Sequence, residues 1–369
     1  MDFRSCYMET LLFGASERIP FSPGWPREST LRAWRRQGLP EDADFSQAMY
    51  DALGITPLPG GMQWGSVSFQ MIPTFEEKVL EHRDGHYIVQ DWMGAITEIS
   101  DEFDYTYIRS AKDFVTRKWH KFPVETRADW ERMQERYAVE APGRFPAEMA
   151  ATPAEGAVFT VQVNGPFWQL REWCGFENLC LLFIEDPDFV QEMIDFWTEF
   201  VSQVLARSCR QAPLTRLGIS EDMAYKAHSM ISPAMTRRHL LPTYARWVSE
   251  MRAAGCSIID MDSDGYIGEL IPIWIDAGIN VCDPIEVAAH NDIVDFRRQF
   301  GRRMAFTGGV DKRAIAAGGA VMRAELQRIA PVIRDGGFIP GCDHGVPPDI
   351  SWPAYVDYAR LLARMTGWL

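Results

Sequence analysis

The chain has 369 residues, 47% hydrophobic and 24% charged, the balance of an ordinary globular protein with ample material for a large core. A formal net charge of −14 with no Lys/Arg run argues against nucleic acid as a partner. No stretch approaches the roughly 18 uninterrupted apolar residues of a membrane span, and the N-terminal Met1-Asp2-Phe3-Arg4-Ser5-Cys6 lacks the apolar core of a signal peptide.

The seven cysteines are odd in number and scattered, with no CxxC pair, so neither a disulfide framework nor a zinc ribbon is suggested. A soluble protein of the reducing cytoplasm is expected, with most thiols serving as small core residues.

Along the chain, the first candidate strand is Ile19–Ser22. Lys78–His82 and Tyr87–Gln90 flank Arg83-Asp84-Gly85-His86, a type I′ hairpin signal because Asp-Gly tolerates two consecutive positive-φ residues. Further strands are predicted at Val158–Val163, Leu217–Ser220, Ile258–Met261, Ile279–Cys282, Met304–Thr307 and Phe338–Pro340. Each is short and apolar, as parallel strands covered on both faces require. Helices lie between them. Asp186-Pro187 and Ser232-Pro233 each place a capping side chain before a proline at the first helical position. Phe189, Val190, Met193, Ile194, Trp197, Phe200, Val201 and Val204 then recur with a 3.6-residue period, and the helix after Ser232 runs to Gly255.

Serial strand–helix units with short loops predict an α/β fold with a parallel sheet, either a closed barrel or a doubly wound sheet. No G-x-G-x-x-G follows a strand and no phosphate-binding loop occurs, which weakens nucleotide-binding readings. The first 150 or so residues, rich in Trp, Pro and charge, read as the first strands plus a long elaboration over one barrel mouth. No Gly/Ser linker separates them, so residues 1–369 are expected as a single domain.

In a parallel barrel the chemistry sits at the C-terminal strand ends. Those positions hold Asn164; Glu221 and Asp222; Asp262 and Asp264; Asp283 and Glu286; Asp311; and Cys342, Asp343 and His344. Trp25 and Arg27 follow the first predicted strand. Any one of these carboxylates is explained as a solvated loop residue in an acidic protein. The set is harder to dismiss, because each follows directly on an apolar run.

Four segments carry a resemblance. Gly341-Cys342-Asp343-His344-Gly345-Val346-Pro347-Pro348-Asp349, Gly308-Gly309-Val310-Asp311, Asn164-Gly165-Pro166-Phe167-Trp168 and Arg18-Ile19-Pro20-Phe21 resemble, in order, segments of the uroporphyrinogen decarboxylase superfamily. The resemblance implies a (β/α)8 TIM barrel with an open cleft at its C-terminal face.

One branch of that superfamily decarboxylates tetrapyrroles, using an Arg-Gln-Ala-Gly-Arg run. Here Ser22-Pro23-Gly24-Trp25-Pro26-Arg27 offers a single arginine, out of register. The other branch transfers methyl groups to or from a corrinoid protein, and its thiol-methylating members hold zinc on a His-x-Cys pair and a late Cys. Here Cys342 matches the late cysteine, while Asp262-Ser263-Asp264 replaces the pair.

The resemblance therefore implies a methyltransferase. It would demethylate a small methoxy or methylamine compound and pass the methyl group to a corrinoid protein. A zinc ion would be held by Asp262, Cys342 and His344. The expected catalytic residues are His344, Asp264 and Glu221, and the expected substrate contacts are Trp25, Arg27, Asn164, Asp222 and Asp311. The rival readings are a lyase acting on a tetrapyrrole or other small carboxylate, and a non-catalytic corrinoid- or partner-binding protein.

Overall fold

The computed structural model describes residues 1–103, 116–145 and 153–369. The strands, in chain order, are β1 (Gly61–Trp64), β2 (Lys78–Arg83), β3 (His86–Gln90), β4 (Ile96–Ser100), β5 (Arg117–Lys121), β6 (Ala157–Asn164), β7 (Arg216–Ser220), β8 (Ile258–Asp262), β9 (Val281–Asp283), β10 (Ala305–Val310) and β11 (Phe338–Cys342). All six strands predicted from Val158 onward are present, most extended by a residue or two. The chain forms two compact units that do not divide at residue 150. One holds Met1–Gly65, Thr152–Gln162 and Ala212–Leu369; the other holds Ser66–Ala151 and Val163–Gln211.

In the first unit, β1-β6-β7-β8-β9-β10-β11 form a seven-stranded sheet, with parallel pairing between β1 and β6, from β7 through β9, and from β9 through β11. The sheet is curled. Val158, Ile258, Val281, Ala305 and Ile339, one from each of five strands, pack in a single cluster with Tyr7 and Leu11 of the helix Phe3–Leu11. Strand alternation places residues two and four positions further along on the same inner face. Further along the strands that inner face turns polar.

The predicted first strand, Ile19–Ser22, does not form a paired strand. Pro20, Pro23 and Pro26 remove every third backbone donor, so a regular ladder cannot form. The segment instead follows β11 by single bonds: Cys342 N donates to Pro23 O (3.1 Å) and Val346 N to Trp25 O (2.8 Å). Gly341 permits this approach, since a Cβ there would lie 2.4 Å from Ser22 O. The sheet thus has seven strands where eight were expected, with β1 and β11 as its ends.

The helix predicted from Pro233 to Gly255 is interrupted. A π turn, Thr236–Leu240, precedes the helix Leu241–Ala253. Pro242 has no N–H to give and its ring crowds the carbonyl four residues back, so the turn widens there.

In the second unit, β2-β3-β4-β5 form an antiparallel sheet. The predicted hairpin is present, with Asp84 and Gly85 at φ 49° and 72°, as a type I′ turn demands. The long helix Pro187–Gln211 buries the predicted apolar stripe. Among the described residues no helix is long and apolar enough to cross a membrane.

Candidate active site

The inner face of the curled sheet changes from apolar to polar along the strands. Above the cluster of Val158, Ile258 and Val281 come Thr160, Gln162, Arg216, Asp260, Asp262, Asp283 and Thr307. Arg216 Nε and Nη2 both donate to Asp260 Oδ2 (2.9 and 2.5 Å), and Nη1 donates to Thr160 Oγ1 (3.0 Å) and Gln162 Oε1 (3.3 Å). Both partners of this ion pair are buried. Gly218 makes the layer fit, because a Cβ there would lie 1.8 Å from Gln162 Oε1.

One step nearer the strand ends, Gln162 Nε2 donates to Ser220 Oγ (2.7 Å), which donates to Asp262 Oδ2 (3.0 Å). Asp262 lies opposite Asp283 in the parallel register, and Thr307 Oγ1 donates to Asp283 Oδ2 (3.3 Å). Burial raises the Asp262 carboxyl to about 6, with Asp260 and Asp264 adding to the shift. Burial pushes Asp283 well above the usual carboxylate range, reinforced by Asp260 and Asp262. An acid titrating near 6 can both give and take a proton at neutral pH.

Beyond the strand ends, three of the predicted residues meet. His344 Nε2 lies 3.2 Å from Asp264 Oδ2, and Arg27 Nη2 lies 3.2 Å from His344 Nδ1. Donation from Arg27 requires a lone pair on Nδ1, which puts the ring proton on Nε2, facing Asp264. The hydrogen bond that His344 donates to Asp264 raises the His344 pKa, against burial and the Lys312 and Arg27 charges. Arg27 reaches this point because its own N–H is held by Val346 O (3.2 Å). Trp25, two residues earlier, is 69% exposed and meets Phe45 edge-on.

The other predicted residues are elsewhere. Glu221 is fully buried and accepts a hydrogen bond from the buried Tyr244 hydroxyl. It follows β7 in sequence, but its side chain is part of the packing. Asp311 caps the helix Lys312–Ala317, accepting from Arg313 N (2.9 Å) and from the Arg313 guanidinium. Asp222, at φ 41°, sends its N–H toward Asp262 O (3.5 Å). Asn164 belongs to the second unit, where its Nδ2 donates to Gln169 Oε1 (3.2 Å) and Glu172 Oε2 (3.3 Å). Asp343 is buried, and its carboxylate braces the loops through Val287 N (2.9 Å) and Lys312 N (3.2 Å).

The zinc set does not assemble. Among the described residues no group of three or more His, Cys, Asp or Glu side chains is arranged to hold a metal ion. Cys342 is buried, and burial pushes its thiol up to about 12.

Arg216 and Asp260 were not singled out in the sequence, although a signal was present. Asp260 and Asp262 alternate with Met261, and that period of two places both on one side of the strand, with Asp264 two residues beyond its end.

A methyltransferase from Methanosarcina mazei matches in fold at 12% identity, over 99% of this chain and 98% of that one, with a TM-score of 0.56. A B12-independent methionine synthase from Shewanella sp. W3-18-1 matches at 9% identity, over 57% and 60% of the two chains, with a TM-score of 0.38. No curated protein matches the sequence. The family model for uroporphyrinogen decarboxylase (URO-D) matches residues 123–354, more than half of the chain. The chain belongs to the uroporphyrinogen decarboxylase (URO-D) family.

Proposed function

We propose that the protein is a cytoplasmic methyltransferase that removes a methyl group from a small methoxy or methylamine compound, with Asp262 managing the proton at the heteroatom that loses it. The observation that carries this reading is Asp262 itself: a half-buried acid at a strand end, opposite Asp283 and held by Ser220, with burial raising its carboxyl. The C–O or C–N bond breaks, its electron pair stays on oxygen or nitrogen, and the methyl group goes to an acceptor nucleophile. Asp262 supplies or holds the proton that makes the departing atom a neutral leaving group, a contribution typically worth ~10²–10⁴-fold. His344, fixed between Asp264 and Arg27, orients the donor at the mouth. Following the family resemblance, the acceptor is a corrinoid carried by a separate protein; no residue of this chain is assigned to it.

Decarboxylation of a tetrapyrrole is less well supported. A substrate with many carboxylates needs several cations. On this inner face Arg216 is neutralised by Asp260, and at the mouth Arg27 is engaged by His344. The likeness to the M. mazei methyltransferase supports the fold on which the reading rests.

The test is to incubate the protein with reduced cobalamin and a panel of methyl ethers and methylammonium salts. Demethylated product, read by mass spectrometry, is the expected outcome. Carbon dioxide release from a porphyrinogen, with no demethylation, would overturn the reading.

A further inference from the structure

Asp260, Asp262 and Asp283 share the inner face of β8 and β9 with one guanidinium, that of Arg216. Arg216 is spent. Two of its nitrogens are on a single oxygen of Asp260, and the third is on Thr160 and Gln162. Among the described residues, no hydrogen-bond donor reaches the opposite oxygen of Asp260, in a side chain 2% exposed, or the buried Oδ1 of Asp283. Ser220 Oγ serves one oxygen of Asp262 and Thr307 Oγ1 one oxygen of Asp283, and the buried Tyr7 hydroxyl, which also reaches the layer, is engaged with Arg216. The layer is short of both positive charge and N–H or O–H donors.

A buried carboxylate without a donor is costly; that cost is what raises the Asp262 and Asp283 carboxyls, and a bound cation draws both back toward the charged form. A ligand that supplies charge and donors together removes both deficits. The described residues assemble no metal-ligand group here. A small organic cation with N–H groups meets the need, and the neutral oxygen of a methyl ether, which accepts but does not donate, does not.

We infer that the methyl donor is a cation, a small methylammonium ion whose N–H groups are accepted by Asp262 and Asp283. This rests on the methyl-transfer reading and narrows its substrate class. Asp262 faces the mouth, half-buried, and is the first contact; Asp283, opposite it in the register, is the second. The proton the departing nitrogen needs arrives with the substrate, and the carboxylates hold it there while the C–N bond breaks and the pair stays on nitrogen.

Isothermal titration calorimetry on the full chain tests this, comparing dimethylammonium chloride with neutral dimethoxymethane at constant ionic strength. The cation is expected to bind at least about tenfold more tightly, the margin of one charge-assisted hydrogen bond, and Asp283→Asn is expected to remove that margin. Should Asp283→Asn fail to fold, Asp262→Asn serves as the second variant, and the wild-type comparison needs neither. Equal or weaker binding of the cation overturns the inference. Methyl ethers demethylated by a protein that ignores dimethylammonium would sink the cation while leaving methyl transfer standing. Tight dimethylammonium binding with no demethylation of any donor would uphold this site and sink the methyl-transfer reading.

Discussion

His344 and Asp264, 80 residues apart in sequence, face each other at 3.2 Å. Each follows a different strand of the sheet, and the curl brings their loops together. Arg27 completes the contact from the opposite ring nitrogen. The pairing explains why this histidine is held in one tautomer, and it makes its titration a readout of the site.

Asp264→Asn should lower the His344 pKa, because the hydrogen bond to Asp264 does most to raise it. The sign for stability follows. A histidine whose folded pKa is raised contributes stability that is present in full below its unfolded pKa, near 6.5, and is lost as pH rises through the folded value. The variant should therefore lose stability at pH 5–6 and little above. With the Asp264 side chain 40% exposed, the loss should not exceed about 1 kcal/mol. Imidazole chemical shifts followed against pH measure the first effect; an unmoved His344 midpoint would count against the pairing.

Asp262 has the opposite sign. Its carboxyl is raised from 3.8 to about 6, so the unfolded chain gives up that proton first and stability falls as pH rises between those values. Asp262→Asn removes the penalty. Its melting temperature should exceed that of the wild type by a few degrees at pH 8, with a smaller gain at pH 4. Thermal melts at the two pH values decide it, and a variant less stable at pH 8 contradicts the assigned shift.

The Arg216–Asp260 pair is buried on both sides. Arg216→Met should cost about 3–5 kcal/mol, because Asp260 is left charged and unpaired. The double variant Arg216→Met/Asp260→Leu should recover part of that loss. Urea unfolding of the wild type, Arg216→Met, Asp260→Leu and the double variant checks both statements, and additive losses would mean that the pair is not a unit.

Gly218→Ala brings a methyl group to within 1.8 Å of Gln162 Oε1. Overpacking of this kind costs roughly 1–3 kcal/mol. Gln162→Ala in the same chain should restore most of it, as differential scanning calorimetry would show; a Gly218→Ala protein as stable as wild type would contradict the crowding.

Much of the fold is legible in the sequence. The short apolar runs from Val158 onward form strands, and the Asp84-Gly85 turn is readable because only a few residues accept its positive φ. Asp264 and His344 are readable as residues just past the ends of β8 and β11, whereas Arg27 joins them without the strand expected before it. Glu221 and Asp311 satisfy the same positional rule yet turn away, one to Tyr244 and the other to Arg313, because a loop's side-chain direction is set by packing that sequence position does not encode. Ile19–Ser22 resembles a strand in hydropathy, but the prolines in and around it decide otherwise. The Arg216–Asp260 pair stays hidden because apolar neighbours at Leu217, Ile259 and Met261 dominate both runs.

The proton-handling role of Asp262 stands or falls on the rate of demethylation at pH 7 in Asp262→Asn beside the wild type, with melting temperatures confirming that both are folded. A drop of about 100-fold or more is expected, in a protein at least as stable as its parent. A folded Asp262→Asn protein that demethylates at the wild-type rate would contradict that role.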